Sequence, residues 1–267
     1  MKAIADLMNM EGRRTLITGA TGEIGQKMAE VMAELGSDLI LVDRTDKDFN
    51  SLVERLKNIR EVDIQCIVCD LELESNREKL IYDILSSEIN INVLINNAAF
   101  VGDSDLKGWT TSFENQTVET WRRAIEVNLT AVFDLSKGLS PILRKTKNAS
   151  IINISSIYGV VGPDHSLYEN TDMANPAAYA ASKGGLVQLT RWLSTSLAPC
   201  IRVNTISPGG VFRNQPKSFV KKYESRTPLR RMATEDDLKG IVAYLASDLS
   251  LYTTGQNIVV DGGWTAW

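Results

Sequence analysis

The chain of 267 residues carries 43% hydrophobic, 23% charged and 7% aromatic residues, the make-up of a folded globular protein and not of a disordered or fibrous one. Its 29 basic and 33 acidic side chains leave a formal charge of −4, which offers no general attraction to nucleic acid or to an anionic membrane. One histidine, His165, and three cysteines, Cys66, Cys69 and Cys200, form neither a structural zinc set nor a disulfide framework, so no metal is expected and a reducing, cytoplasmic setting fits.

The first residues, MKAIADLMNMEGRRTLIT, lack the sustained apolar core of a signal peptide, and no later stretch has the ~18 uninterrupted apolar residues of a membrane span. Runs rich in Val, Ile and Leu then recur at 15–18, 38–42, 64–69, 93–96, 150–154, 201–206 and 257–260, each reading as a strand buried on both faces. Between them lie segments of helical length, such as 26–35, 118–139 and 177–197. This alternation predicts an α/β fold, a doubly wound parallel sheet of about seven strands. With no linker, repeat or low-complexity tract, residues 1–267 read as one domain. Two polar stretches, 159–175 and 213–231, interrupt the rhythm as long loops after strands, where such sheets place their ligands.

The first strand runs into TGATGEIG, residues 18–25, and then into a helix, the context that receives a dinucleotide pyrophosphate. Gly19 allows the tight turn and Gly25 the close packing of helix on strand, while the amides around Gly22, Glu23 and Ile24 open the helix towards the phosphates. Asp43 ends the second strand, eighteen residues after Gly25, where a carboxylate accepts the hydroxyls of the adenosine ribose. That favours NAD over NADP, whose extra phosphate would meet like charge, although Arg44 beside it could turn inward and offset this. The plainer reading of Asp43 is a turn residue at a strand end.

With TGATGEIG, NNAA (96–99), EVNL (126–129), ISS (154–156), YAASK (179–183), SPGGV (207–211) and TTGQNIVVDGG (253–263), the chain resembles the short-chain dehydrogenase/reductase family in its compact form, almost end to end. The resemblance implies a single-domain Rossmann-type fold, a nicotinamide cofactor and a homotetramer. The wording around the inserted loop is similar to members associated with flagellin or surface-glycan modification. It also implies a catalytic set of Asn128, Ser156, Tyr179 and Lys183. Physical reasoning stands beside it: Tyr179 and Lys183 are four apart and share a helix face, and an ammonium near a phenol favours the phenolate. Tyr179 is then the acid/base, and by resemblance Lys183 also holds the nicotinamide ribose. Ser156, at the end of the fifth strand, is preferred to Ser155 because the family's serine takes the second position of the motif. Asn128 resembles the asparagine that holds a water in the proton relay; on its own it reads as a kink or capping residue. By the same resemblance Asp70 and Leu71 meet the adenine, Asn97 and Ala98 line the adenosine ribose, and Pro208, Gly209 and Val211 turn near the carboxamide.

The chain departs from the family pattern at four places. Glu23 stands where the phosphate turn usually has its second glycine, and is expected to point outward or towards the ribose. Ala99 replaces a glycine. Arg213 replaces a threonine after the PG turn, so the hydroxyl contact to the carboxamide is absent or comes from a neighbour such as Asn214. The insertion separates Ser156 from Tyr179 by 23 positions; its Asp164, His165, Glu169, Asn170, Thr171, Asp172 and Asn175 could hydrogen-bond a hydroxyl-rich substrate such as a sugar, or pack against another subunit. The stretch 213–231 corresponds to the family's substrate lid and carries seven basic residues against Glu224, enough to gather an anionic substrate or merely to solvate a helix face.

The sequence is thus read as an oxidoreductase moving hydride between NAD(H) and a secondary alcohol or ketone, with a sugar or anionic sugar derivative of glycan biosynthesis as the suggested small-molecule substrate. The alternatives are an epimerase or dehydratase using NAD transiently, and a nonenzymatic NAD-responsive binding protein. Cys66 and Cys69 read as packing residues on opposite faces of a strand, and Trp264 and Trp267 as apolar area for the tetramer interface.

Overall fold

The structure is a computed structural model that describes residues 2–87, 89–101 and 106–267. The apolar runs form parallel strands because both of their faces are covered: Leu16, Ile40 and Leu94 point into one apolar layer while Ile17, Leu41 and Ile95 point into the other. Among the described residues seven strands make one sheet: β1 Arg14–Thr18, β2 Asp38–Asp43, β3 Ile64–Val68, β4 Val93–Asn96, β5 Ala149–Ile154, β6 Ile201–Pro208 and β7 Asn257–Val260. Their order is β3-β2-β1-β4-β5-β6-β7. Register is continuous across the centre, with Ile17 level with Leu41 on one side and Ile95 on the other. The chain leaves the edge at β3 and returns beside β1 at β4, so the order reverses there. A crevice opens at the carboxyl ends of those strands.

The helices are α1 Ile4–Met8, α2 Glu23–Glu34, α3 Phe49–Ile59, α4 Glu74–Ser86, α5 Val118–Ile125, α6 Ala131–Leu143, α7 Ala177–Leu197, α8 Lys217–Arg226 and α9 Lys239–Ala246. α2, α3 and α9 bury Met28, Met32, Leu52, Leu56, Val242 and Leu245 on one face. α4, α6 and α7 bury Leu80, Ile84, Leu135, Leu139, Leu193 and Leu197 on the other. The long helix expected over 118–139 is interrupted by a wider turn, Glu126–Thr130, in which the Ala131 amide donates to the Glu126 carbonyl five residues back. Such a π turn re-aims the side chains it carries, here Asn128.

Two packing expectations are corrected. Cys66 is exposed, because β3 is the edge strand and is covered less completely than the strands inside the sheet; Cys69, just past the strand, is buried. Trp264 is only 4% exposed and stacks on Tyr223 with ring centroids 4.4 Å apart, so it belongs to this chain's own core, whereas Trp267 is 71% exposed.

A third apolar cluster lies above the sheet, where Leu167 of the insertion packs with Ile157, Phe219, Tyr223 and Met232. The insertion is therefore anchored under α8 by buried side chains, and it is not a purely solvated loop. Charged pairs close the seam, Asp164 with Arg226 and Glu169 with Lys222. Among the described residues no helix is long and apolar enough to cross a membrane, and no group of His, Cys, Asp and Glu is placed to hold a metal ion.

Candidate active site

A cleft of about 1020 Å³ opens at the carboxyl ends of the central strands. At one end the chain turns from β1 into α2 with Gly19 at φ +62°, and a Cβ at Gly25 would collide with the Gly19 carbonyl oxygen. Gly22 takes the N-cap position, leaving the first amides of α2 facing the cleft. Asn97 locks the turn from below: its side-chain amide donates to the carbonyls of Thr18 (3.1 Å) and Gly19 (2.9 Å). The Thr18 hydroxyl in turn accepts the amides of Asn97 and Ala98, both at 3.1 Å. β1 and β4 are thereby stitched together where they diverge.

At the end of β2 one oxygen of the Asp43 carboxylate accepts from the amide and hydroxyl of Thr21, each at 2.8 Å, and the other accepts from the Arg44 amide at 2.7 Å. A carboxylate has about four acceptor positions, so it keeps capacity for a ribose. Arg77, 2% exposed, is held by Glu126 (2.7 Å) and Asp134 (3.0 Å) and donates to the Leu71 carbonyl at 2.7 Å, tying the loop of Asp70 and Leu71 to the π turn. The glycine cradle, the free helix N-terminus and the carboxylate beyond β2 fit a dinucleotide. Every residue read from the sequence as meeting the cofactor lines this one cleft, from Gly19 and Asp43 through Asp70 and Asn97 to Lys183 and Val211.

In the middle of the cleft stand Ser156, Tyr179 and Lys183. Ser156 follows β5 and its hydroxyl accepts the Tyr158 amide at 3.2 Å. Ser155 is committed elsewhere, donating to the Lys183 carbonyl at 2.9 Å. Tyr179 and Lys183 lie one turn apart on α7, yet the expected lowering of the phenol is not found. The Lys183 ammonium stands 5.7 Å from the centre of the Tyr179 ring and donates to the Ile154 carbonyl at 2.8 Å. Burial therefore dominates: it raises the Tyr179 pKa, opposed by a hydrogen bond with Ser156, and lowers that of Lys183 to about 8. Asn128 does not line the cleft. It is fully buried, accepting the Phe100 amide at 2.6 Å and donating to the Ser182 hydroxyl at 3.0 Å. Its side chain thus holds the strand-end loop against α7.

The substrate end is where structure and expectation part most. Glu23 turns away from the phosphate turn to pair with Arg213, whose guanidinium also meets Glu235. Of the lid's basic residues Arg213 alone lines the cleft among the described residues, and it is already flanked by two carboxylates. Arg226, Lys222 and Arg231 are likewise engaged by Asp164, Glu169 and Asp237. His165 is exposed on a short turn outside the cleft, and Asn214 is exposed with φ +57° and also lies outside it. The walls are built instead by Tyr158, Tyr168, Met173, Phe219, Tyr223 and Met232, none of which any sequence motif marks. The available signal was Leu167, Tyr168 and Met173, apolar side chains inside an otherwise polar insertion.

A family model described as enoyl-(acyl carrier protein) reductase matches residues 19–265. The 3-oxoacyl-(acyl-carrier-protein) reductase FabG of Thermotoga maritima is 30% identical over 261 residues, covering 96% of this chain and 99% of that protein. Post-translational flagellin modification protein A of Campylobacter coli is 28% identical over 257 residues, covering 96% and 99%. Among solved structures, a short-chain dehydrogenase from Leptospira borgpetersenii with bound NAD+ matches with a TM-score of 0.83 at 31% identity, over 99% of this chain and 96% of that one. A gluconate 5-dehydrogenase from Burkholderia cenocepacia, in complex with NADP and tartrate, matches with a TM-score of 0.85 at 26% identity, over 99% and 100%. Matched over nearly its full length by the family model, by a relative of 30% identity and by solved structures with the same fold, the chain belongs to the short-chain dehydrogenase/reductase family of oxidoreductases.

Proposed function

We propose that the chain moves hydride between NAD(H) and a neutral secondary alcohol or ketone. The observation that carries this reading is the meeting of Ser156, Tyr179 and Lys183 in the same cleft as the glycine turn and Asp43. The nicotinamide, when bound, supplies or takes up the hydride. Ser156 holds the substrate oxygen by its hydroxyl, and Tyr179 gives that oxygen a proton in reduction or removes one in oxidation. Lys183 lies one helical turn from Tyr179, within reach of a ribose in the cleft, and Asn128 acts from behind by fixing the loop at Phe100 to α7.

Asp43 supports NAD over NADP: a ribose phosphate beside it would meet a carboxylate, and Arg44 is exposed beyond it. Relatives with either cofactor are known, so the residue itself has to be tested. The substrate is read as neutral because the lid's cleft-facing cation is held by Glu23 and Glu235. A sugar or polyol remains compatible with the tyrosine hydroxyls of the wall; for a phosphorylated or carboxylated one the lid's cleft-lining cation, Arg213, is already paired with Glu23 and Glu235. A cytoplasmic homotetramer completes the proposal.

Turnover is measured by the absorbance of reduced nicotinamide, with NADH and NADPH, across cyclic ketones, sugars and their charged derivatives. The expected result is NADH consumption with neutral ketones, and Asp43→Ser shifting the preference towards NADPH by at least about tenfold. A wild type that prefers NADPH contradicts the cofactor reading; phosphorylated sugars outpacing neutral ones contradict the substrate reading.

A further inference from the structure

Hydroxyl-bearing side chains in the substrate half do not end with Ser156 and Tyr179. Tyr158, in the turn after β5, and Tyr168, from the insertion, bring their hydroxyl oxygens to 2.6 Å, and both line the same cleft as Tyr179. Their surroundings are apolar, with Ile157 and Met173 beside them and the Tyr168 ring tilted against Phe219 at 5.5 Å. Burial raises both phenols above their ordinary pKa, so each is a neutral hydroxyl at physiological pH. Two neutral hydroxyls sharing one hydrogen bond use one of their two protons. Whichever donates, one O–H donor stays free.

Asn175, near the end of the insertion, is 9% exposed and lies outside the residues that line the cleft, so the free O–H of the tyrosine pair is the group offered to a ligand there. The turn that carries Tyr158 starts at Ser156, whose hydroxyl accepts the Tyr158 amide at 3.2 Å, and the tyrosine pair shares its cleft with Tyr179, so a hydroxyl held by the pair belongs to the same bound molecule as the oxygen that meets Ser156 and Tyr179.

We propose that Tyr158 and Tyr168 form a second hydroxyl subsite, which selects an uncharged substrate carrying another hydroxyl close to the reacting one, as in a vicinal diol or an α-hydroxy ketone. The insertion thus sets specificity through Tyr168 in the cleft wall, not through the exposed charges and His165 on its surface. This inference rests on the reading of Ser156 and Tyr179 as the groups that meet the reacting oxygen.

Binding and turnover test the two separately. On protein loaded with NADH, where an alcohol cannot be oxidised, calorimetry compares trans vicinal cyclohexanediol with cyclohexanol. The diol is expected to bind about tenfold tighter, the gain of one or two neutral hydrogen bonds. In the double variant Tyr158→Phe/Tyr168→Phe, which keeps both rings, the advantage falls to about twofold or less, with retained NADH affinity reporting that the variant is folded. Equal binding of diol and monool by the wild type overturns the subsite without recourse to any variant, as does a double variant that keeps the full advantage. Alongside, α-hydroxycyclohexanone and cyclohexanone are offered as substrates with NADH. If neither is reduced while the diol advantage stands, the subsite holds and the hydride-transfer reading falls; if both are reduced equally and the advantage is missing, the subsite falls and hydride transfer stands.

Discussion

Lys183 is 2% exposed, and burying its ammonium is unfavourable enough to lower its pKa to about 8 from the ordinary 10.5. Since the folded value lies below the unfolded one, the penalty is fully present below pH 8, shrinks between 8 and 10.5 and is gone above. Lys183→Met is expected to stabilise the fold at neutral pH by at most about 3 kcal/mol, less what the lost hydrogen bond to Ile154 contributes, while removing activity. Thermal melts at neutral and alkaline pH check this: the gain should fade as pH rises, and its absence at neutral pH contradicts it. Gly25→Ala is expected to weaken NAD binding at least about tenfold in direct titration, because its Cβ would push against the Gly19 carbonyl and reshape the turn. The spacing of Tyr179 and Lys183 was legible because four residues return a helix to the same face. The direction of the phenol's shift was not, because it depends on Lys183 reaching across to the Ile154 carbonyl, a contact between α7 and β5 that no local pattern encodes. Asn128 was legible as special in position and not in partner: the π turn that buries it has the same residue pattern as an ordinary helix.

At the scale of elements, the insertion and the lid behave as one cover. Leu167 anchors the insertion from beneath, while Asp164–Arg226 and Glu169–Lys222 pair across the seam to α8. Partly exposed pairs like these contribute little to global stability, about 0–1 kcal/mol each, but they act where the cover opens. The double variant Lys222→Ala/Arg226→Ala is expected to leave the melting temperature nearly unchanged and to speed proteolytic cutting within 213–231 several-fold; an unchanged cutting rate would show that the pairs do not hold the cover shut. High salt should act on the wild type in the same direction. The seven strands were readable from apolar runs, with ends shifted by a residue or two, since a strand covered on both faces needs a continuous apolar stretch. The lid's charge was readable only as a sum. Its neutralising partners, Glu23, Asp164, Glu169 and Glu235, lie in other segments, and a charge count along the chain does not show which of them fold against it.

For the molecule as a whole, Trp121 on α5, Phe133 on α6 and Trp192 on α7 are exposed, as are Tyr252 and Trp267 near the end of the chain. Such side chains are the apolar area that the proposed homotetramer would cover, since closed symmetry is the usual form of a homo-oligomer. Light scattering is expected to report a tetramer; a concentration-independent monomer would contradict it. Trp264, read from the sequence as part of that surface, instead closes the aromatic stack beneath the lid.

The proposed chemistry of the cleft requires Tyr179 to exchange the proton while hydride moves, and one comparison tests this role. The rate of NADH consumption with a neutral cyclic ketone is measured for the wild type and for Tyr179→Phe, with NADH affinity measured for both. The substitution is expected to lower kcat by about a hundredfold to ten-thousandfold while leaving NADH affinity within about twofold. A Tyr179→Phe protein that binds NADH and reduces the ketone at the wild-type rate would contradict the proposed chemistry of the cleft.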